Sequence, residues 1–516
     1  MEKLVLYGIF SISALAIIIS LIFSLRQRQV KTSSKKISDA HKAVLKETRS
    51  DYKLALKNYS MVAVVLLVAI LYALGWQSAA VFLAAAVIFP LLDYYQTNLA
   101  VNSGARAVEL SRSGQKTVFR SIYSASVFRS ILITAVAIVF GLGIQYLFST
   151  TATLLSLVLA LIITSIFWPR GKSKYALLVV ATISLSFAVF GSYLQNAANY
   201  KLFAAGISAT TIVFAALSAV LTSVLAKKFI KSSAIFYGLC LFTLFLLVVF
   251  YYSVQKHFFG VSYNLILVSA SLAIGYVFSI LNLTFHKVNK IIPAISVGLL
   301  LLASNYFFGT VGMVFLLVGF SASAVIAAIF ASYSGIMKNA ETIALTAELS
   351  EAPSVLTAER VPEIRTGSFV ATLVSLLALG FLTYFVAQMK KYSLDLGNQK
   401  IIAGLILGGT LTYLSNLEVF KNNLLKVSAV VLIVLVTGVT LGPVYLAGAL
   451  AGAILVNLLT RTADEEVFLA VVLSVLASAL IENPYNITVR AIIAGIVLVL
   501  IAIYLVLNKF YGRKTV

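Results

Sequence analysis

Acidic residues are missing from the longest stretch of this chain. From Leu110 to Ala340, 231 residues contain no Asp and no Glu, although Lys, Arg and two His occur there. Membrane burial explains part of this, because an ionised carboxylate at the bilayer centre costs roughly 2.5 kcal/mol or more. The stretch therefore offers no carboxylate to bind a metal, relay a proton or act as a general acid.

Cysteine is almost absent as well. The single Cys240 lies inside an apolar run, which excludes a disulfide framework within the chain and a cysteine metal site. The three histidines, His41, His257 and His286, lie far apart in sequence and do not have the spacing of a metal-binding motif. We therefore expect no metal and no cofactor.

Charge of either sign is scarce, and apolar residues dominate. Of the 516 residues, 61% are hydrophobic and 11% charged, whereas soluble domains carry about 25% charged residues. This composition predicts an all-α polytopic membrane protein forming a single membrane domain over 1–516. We count seventeen apolar runs and predict about 16–17 transmembrane helices: 4–25, 59–75, 78–99, 127–148, 151–168, 175–194, 202–225, 234–254, 262–284, 290–308, 310–332, 367–387, 400–416, 426–442, 443–460, 466–482 and 487–508.

The net charge of +22 does not indicate nucleic-acid binding, because nearly all the cations lie in turns between apolar runs. If each run crosses once, 32 Lys and Arg fall on one side of the membrane and 7 on the other. The positive-inside rule then places the N-terminus outside and the C-terminus in the cytoplasm. The predicted location is the cell membrane, with multiple passes.

Two predicted cytoplasmic segments are long. The basic segment 26–58 carries ten Lys and Arg and is expected to be helical, either meeting anionic lipid headgroups or serving only to orient the protein. The loop 334–366 holds five Glu. It is either a docking site for a partner or merely a solvated loop.

Polar residues inside apolar runs are candidates for an intramembrane site. Asp93 is the only acid well inside an apolar run before residue 340. It is either a hydrogen-bonded residue near the membrane interface or a proton carrier. Asn282 and Asn305 add polar groups to inner helices.

Two pairs of glycines favour close helix packing. Gly404 and Gly408, and likewise Gly448 and Gly452, are spaced four residues apart, which places each pair on one helix face. Packing inside a large bundle and dimerisation both explain this spacing.

Five segments resemble one family. Residues 51–59 are similar to a basic-aromatic entry into a second helix, and 98–109 to a small-residue, Arg-containing exit from a third. Residues 333–344, 367–376 and 436–454 resemble later helices of the same fold. The family is that of the membrane-integral, ion-pumping pyrophosphatases. The resemblance implies a pyrophosphatase-like helical bundle and a homodimer. The predicted C-terminal helix and tail at 487–516 are additional to the helices that the resemblance covers.

The departures from the family concern its catalytic residues. Ala331, Lys338 and Leu345 stand where the resemblance places acids, and Thr366 stands where it places lysine. The region resembling the family's densest acidic motif, 168–174, contains no acid. Since Mg²⁺ sites for phosphate chemistry normally include carboxylates, we expect no pyrophosphate hydrolysis.

Three functions remain open. The first is a catalytically inactive pyrophosphatase-like pseudoenzyme that serves as a structural or accessory subunit, alone as a homodimer or in a larger membrane complex. The second is an ion or small-solute transporter with a rebuilt core. The third is a cytoplasmic vestibule that binds an anionic ligand or lipid headgroup through Arg170, Lys172 and Lys338.

Overall fold

The computed structural model describes residues 2–28, 34–148 and 332–349, with short helical pieces at 153, 156–157, 160–161, 164, 238–239, 241–245, 273–274, 276–277 and 329. The regular structure in these residues is entirely helical. In chain order the elements are α1 (Glu2–Arg28), α2 (Lys35–Leu110), a short 3₁₀ turn (Ser111–Ser113) and α3 (Gln115–Phe148). Residues 332–346 form a further helix.

Helix α2 is folded back on itself at one glycine. Gly75 has φ 83° and ψ 174°, a backbone conformation that residues with a Cβ rarely adopt. The limbs on either side, 35–74 and 76–110, run antiparallel. Two hydrogen bonds between the limbs show this. His41, early in the first limb, is bonded to Asn102, late in the second limb, whereas Tyr59, later in the first limb, is bonded to Ala86, earlier in the second. The first limb (35–74) and the second limb (76–110) thus form a helical hairpin.

Two described segments are long and apolar enough to cross a membrane, namely Gly75–Ser113 and Thr117–Gly141. Large apolar side chains on both limbs of the hairpin are exposed, for example Val64 at 60% and Leu91 at 64%. Exposed apolar side chains of this kind are suited to contact with lipid. The prediction of an all-helical chain is confirmed for the described residues, and two of their segments have the length and apolarity that a membrane crossing needs.

Helix α3 packs between α1 and the hairpin. Phe23 of α1 stacks on Phe128 of α3 at 4.2 Å between ring centroids. Phe89 of the second limb meets Phe140 of α3 edge-on at 5.9 Å. Gly114, with φ 97°, reverses the chain between the hairpin and α3.

The two long polar segments are partly described. The basic segment 26–58 is helical over 26–28 and from Lys35 onward. Because the limbs of the hairpin are antiparallel, this segment lies beside the last residues of the second limb, 102–110. The loop 334–366 with five Glu is described as far as residue 349, and it is helical up to residue 346. The segment 487–516 lies outside the described residues.

Candidate functional site: a buried polar cluster between three helices

The second limb carries a fully buried carboxylate. Asp93 has no exposed surface and lies in the membrane-length segment Gly75–Ser113. One helical turn further on, Gln96 is also completely buried. Since residues three apart share a helix face, both side chains are directed to the same side of the limb.

The hydrogen-bond partner of Gln96 comes from α3. The Arg129 Nε–H donates a hydrogen bond of 2.9 Å to Oε1 of Gln96. The charge of Asp93 also acts on the guanidinium, and Arg129 itself is only 9% exposed. A buried cation with an amide and a carboxylate nearby is in the environment that a buried charge requires.

Asp93 stands out in the sequence as an acid inside an apolar run, whereas Arg129 does not. Arg129 is near the start of the apolar run 127–148, where a cation at the cytoplasmic surface is expected. The structure instead places it inside the helix packing. The available signal was its isolation, since no other Lys or Arg occurs between Arg120 and Arg170.

A small cavity adjoins the cluster. Its volume is about 10 Å³, and it lies among Ser20 and Phe23 of α1, Gln96 of the second limb, and Phe128 and Arg129 of α3. Within the described residues, Ser20 Oγ and Gln96 Nε2 have no hydrogen-bond partner. A cavity of roughly 10–15 Å³ holds one water molecule. The space therefore suits a single water and is too small for a solute.

Two tyrosines of the first limb bond to the backbone of the second limb around Pro90. Proline has no N–H, so the carbonyl four residues earlier, that of Ala86, loses its helical donor. The Tyr59 hydroxyl donates to this carbonyl at 2.9 Å. The Tyr52 hydroxyl donates to the carbonyl of Pro90 itself. The two hydroxyls stabilise a helix that proline would otherwise weaken.

Tyr52 also lies within electrostatic reach of the cluster. Burial raises the pKa of its phenol above the usual value, and the nearby charge of Asp93 raises it further. Tyr52 therefore stays protonated and acts as a hydrogen-bond donor.

Two segments that are far apart in sequence meet in space, the second limb and the 332–346 helix. A Cβ added to Gly104 would lie 3.0 Å from the backbone nitrogen of Ala340 and 3.1 Å from Cβ of Asn339. The same helix also contacts α3, because the rings of Tyr333 and Phe119 are 5.6 Å apart. The small residue at 104 thus permits close packing of the second limb on the 332–346 helix.

Of the three cations predicted to line a vestibule, only Lys338 is among the described residues, and it is exposed on the 332–346 helix. Arg170 and Lys172 lie outside the described residues, so the cationic vestibule stays a prediction. The same holds for two polar residues and the four packing glycines: Asn282, Asn305, Gly404, Gly408, Gly448 and Gly452.

Across the part of the chain that the structure describes, no group of three or more His, Cys, Asp or Glu could hold a metal ion. No family model and no curated protein matches the chain.

Proposed function

We propose that this chain is a non-catalytic, multi-pass membrane protein with a pyrophosphatase-like bundle, acting as a structural or accessory subunit. The observation that carries the proposal is the 231-residue stretch without Asp or Glu, from Leu110 to Ala340. Phosphoryl transfer needs metal ions that bridge the phosphate oxygens and a group that orients water. A chain that resembles the family but lacks its acids is expected to keep the packing and lose the chemistry.

The buried cluster supports a structural role. Asp93 and Arg129 carry opposite charges and lie near each other, and Arg129 is hydrogen-bonded to Gln96. Their charges offset one another across the contact between the second limb and α3. Such a cluster fixes how two helices pack, because sliding one helix past the other would separate the charges.

Phosphate release from pyrophosphate by purified, reconstituted protein supplied with Mg²⁺ tests the proposal. We expect release equal to that of empty vesicles. A soluble pyrophosphatase added to the same sample should restore release and exclude inhibition by the preparation. Mg²⁺-dependent release that increases with the amount of protein, and that persists after a further purification step, would overturn the proposal.

A transporter is the second candidate, and one observation favours it. Ionisable side chains buried in membrane-length helices commonly mark ion or proton pathways, and Asp93 and Arg129 are two such residues. Proton or solute flux into proteoliposomes should then fall on Asp93→Asn. Flux no greater than in empty vesicles would exclude this function and leave the structural one.

We further propose that the protein is a homodimer or part of a larger membrane complex, with its N-terminus outside. Support comes from the resemblance and from the distribution of cations along the chain. Accessibility of cysteines placed at residues 3 and 514 to a membrane-impermeant reagent in intact cells tests the orientation. Labelling at 514 without labelling at 3 would contradict it.

A further inference from the structure

The hairpin of α2 contains a large groove that is separate from the buried cluster. Its volume is about 1130 Å³, above the roughly 300–1,000 Å³ usual for pockets that take drug-sized molecules. Both limbs line it. Tyr94 and Leu91 of the second limb border one end, and Leu67 and Phe82 border the other.

The two ends of the groove differ in chemistry. One end is lined by four cations of the first limb, Lys42, Lys46, Arg49 and Lys53. Their spacing of four, three and four residues puts them in one stripe on the helix surface. All four are exposed, and none of the described residues that line the groove is acidic.

The rest of the groove is apolar. Beyond Lys53 the lining includes Leu56, Val64, Leu83 and Val87. These side chains remain 45–60% exposed, so they are available to a molecule in the groove. Lys53 and Leu67 are fourteen residues apart, or about 21 Å along the helix axis. One leaflet of the hydrocarbon core is about 15 Å deep, so the apolar part is long enough for an acyl chain.

We propose that this groove binds an anionic glycerophospholipid, with its headgroup within the stripe of four cations and an acyl chain along the apolar part. Charge complementarity supports this occupant, because a cluster of Lys and Arg beside a membrane helix attracts anionic headgroups. The apolar continuation of the same groove favours a whole lipid over a free anion. The site goes beyond the proposed structural function and does not depend on it.

Native mass spectrometry of the purified full-length protein tests the site, with dioleoyl phosphatidylglycerol and dioleoyl phosphatidylcholine added separately. We expect the wild type to bind the anionic lipid preferentially. The variant K42Q/K46Q/R49Q/K53Q should bind it at least tenfold more weakly, because each basic residue near an anionic headgroup strengthens attraction. Since the four side chains are exposed, the variant should fold normally, and its thermal stability without added lipid checks this.

A matched control removes four other exposed cations that do not line the groove, in the variant K35Q/K36Q/K57Q/R112Q. This variant should retain preferential binding. Equal losses in both variants would show diffuse attraction to the basic surface and would overturn the site.

The apolar part of the groove is tested by a second change, Ala63→Phe, which adds bulk to the lining while leaving every cation in place. We expect weaker lipid binding and unchanged binding of glycerol 3-phosphate. Unchanged lipid binding would contradict an acyl chain in the groove. Loss of dimers rather than of lipid in the variants would instead identify the groove as a contact between two copies, and the proposal would fail.

Discussion

Removing the cation of the buried cluster should expose how much the helix packing depends on it. In Arg129→Met, Asp93 stays fully buried and loses the nearby positive charge, while Gln96 loses its hydrogen bond. Breaking a direct buried ion pair costs about 3–5 kcal/mol of stability. Asp93 acts on Arg129 through its charge, while the hydrogen bond of Arg129 goes to Gln96. We therefore expect a loss in the free energy of unfolding at the lower end of that range, about 3 kcal/mol.

The double variant Asp93→Asn/Arg129→Met distinguishes loss of the pair from loss of packing. Replacing both members of a buried pair is often close to neutral, because no uncompensated charge remains. The double variant should therefore recover at least half of the loss. Asp93→Asn alone should cost less than Arg129→Met, because Arg129 keeps its bond to Gln96.

Unfolding of the purified protein in mixed micelles, followed by circular dichroism as denaturing detergent is added, gives these free energies. Arg120→Met is the control, since Arg120 is exposed on the same helix and should change stability by less than about 0.5 kcal/mol. Wild-type stability in Arg129→Met would refute the reasoning. So would a double variant no more stable than Arg129→Met.

Three further substitutions test the hairpin and its packing by the same unfolding measurement. Tyr59→Phe removes the donor to the Ala86 carbonyl and should cost about 1 kcal/mol, whereas Tyr7→Phe, at an exposed position, should cost nothing measurable. Gly104→Ala should cost about 1–3 kcal/mol, because its Cβ would press on the backbone of the 332–346 helix; wild-type stability would mean that this contact is loose. Gly75→Ala should cost about 1 kcal/mol from its positive φ alone, and Gly143→Ala, where the surroundings are equally open, should not; equal effects would contradict strain at the turn.

Much of the described fold follows from local sequence patterns. The apolar runs 59–75 and 78–99 lie on the parts of the two limbs that meet at the turn, and the break between the runs directly follows Gly75. The sequence predicts a helical basic segment, and the described residues of that segment are helical over 26–28 and from Lys35 onward. Local patterns predict these features because hydrophobicity and backbone freedom are properties of neighbouring residues.

The contacts that build the site were not predictable in the same way. Arg129 and Gln96 are separated by 33 residues, and Gly104 meets a helix more than 230 residues further along the chain. Hydrophobic periodicity gives the face of each helix but not the partner of that face. An arginine near the start of an apolar run, such as Arg129, fits the cytoplasmic interface and the buried interior equally well until the packing is known.

Binding of magnesium imidodiphosphate, a non-hydrolysable analogue of the diphosphate, tests the central claim most directly. Isothermal titration calorimetry of the reconstituted protein measures whether any site binds Mg²⁺ and the diphosphate analogue together, independently of any rate of hydrolysis. We expect no saturable heat at millimolar concentrations, because the stretch from Leu110 to Ala340 supplies no carboxylate to hold the metal. Saturable binding that requires Mg²⁺ would contradict the account.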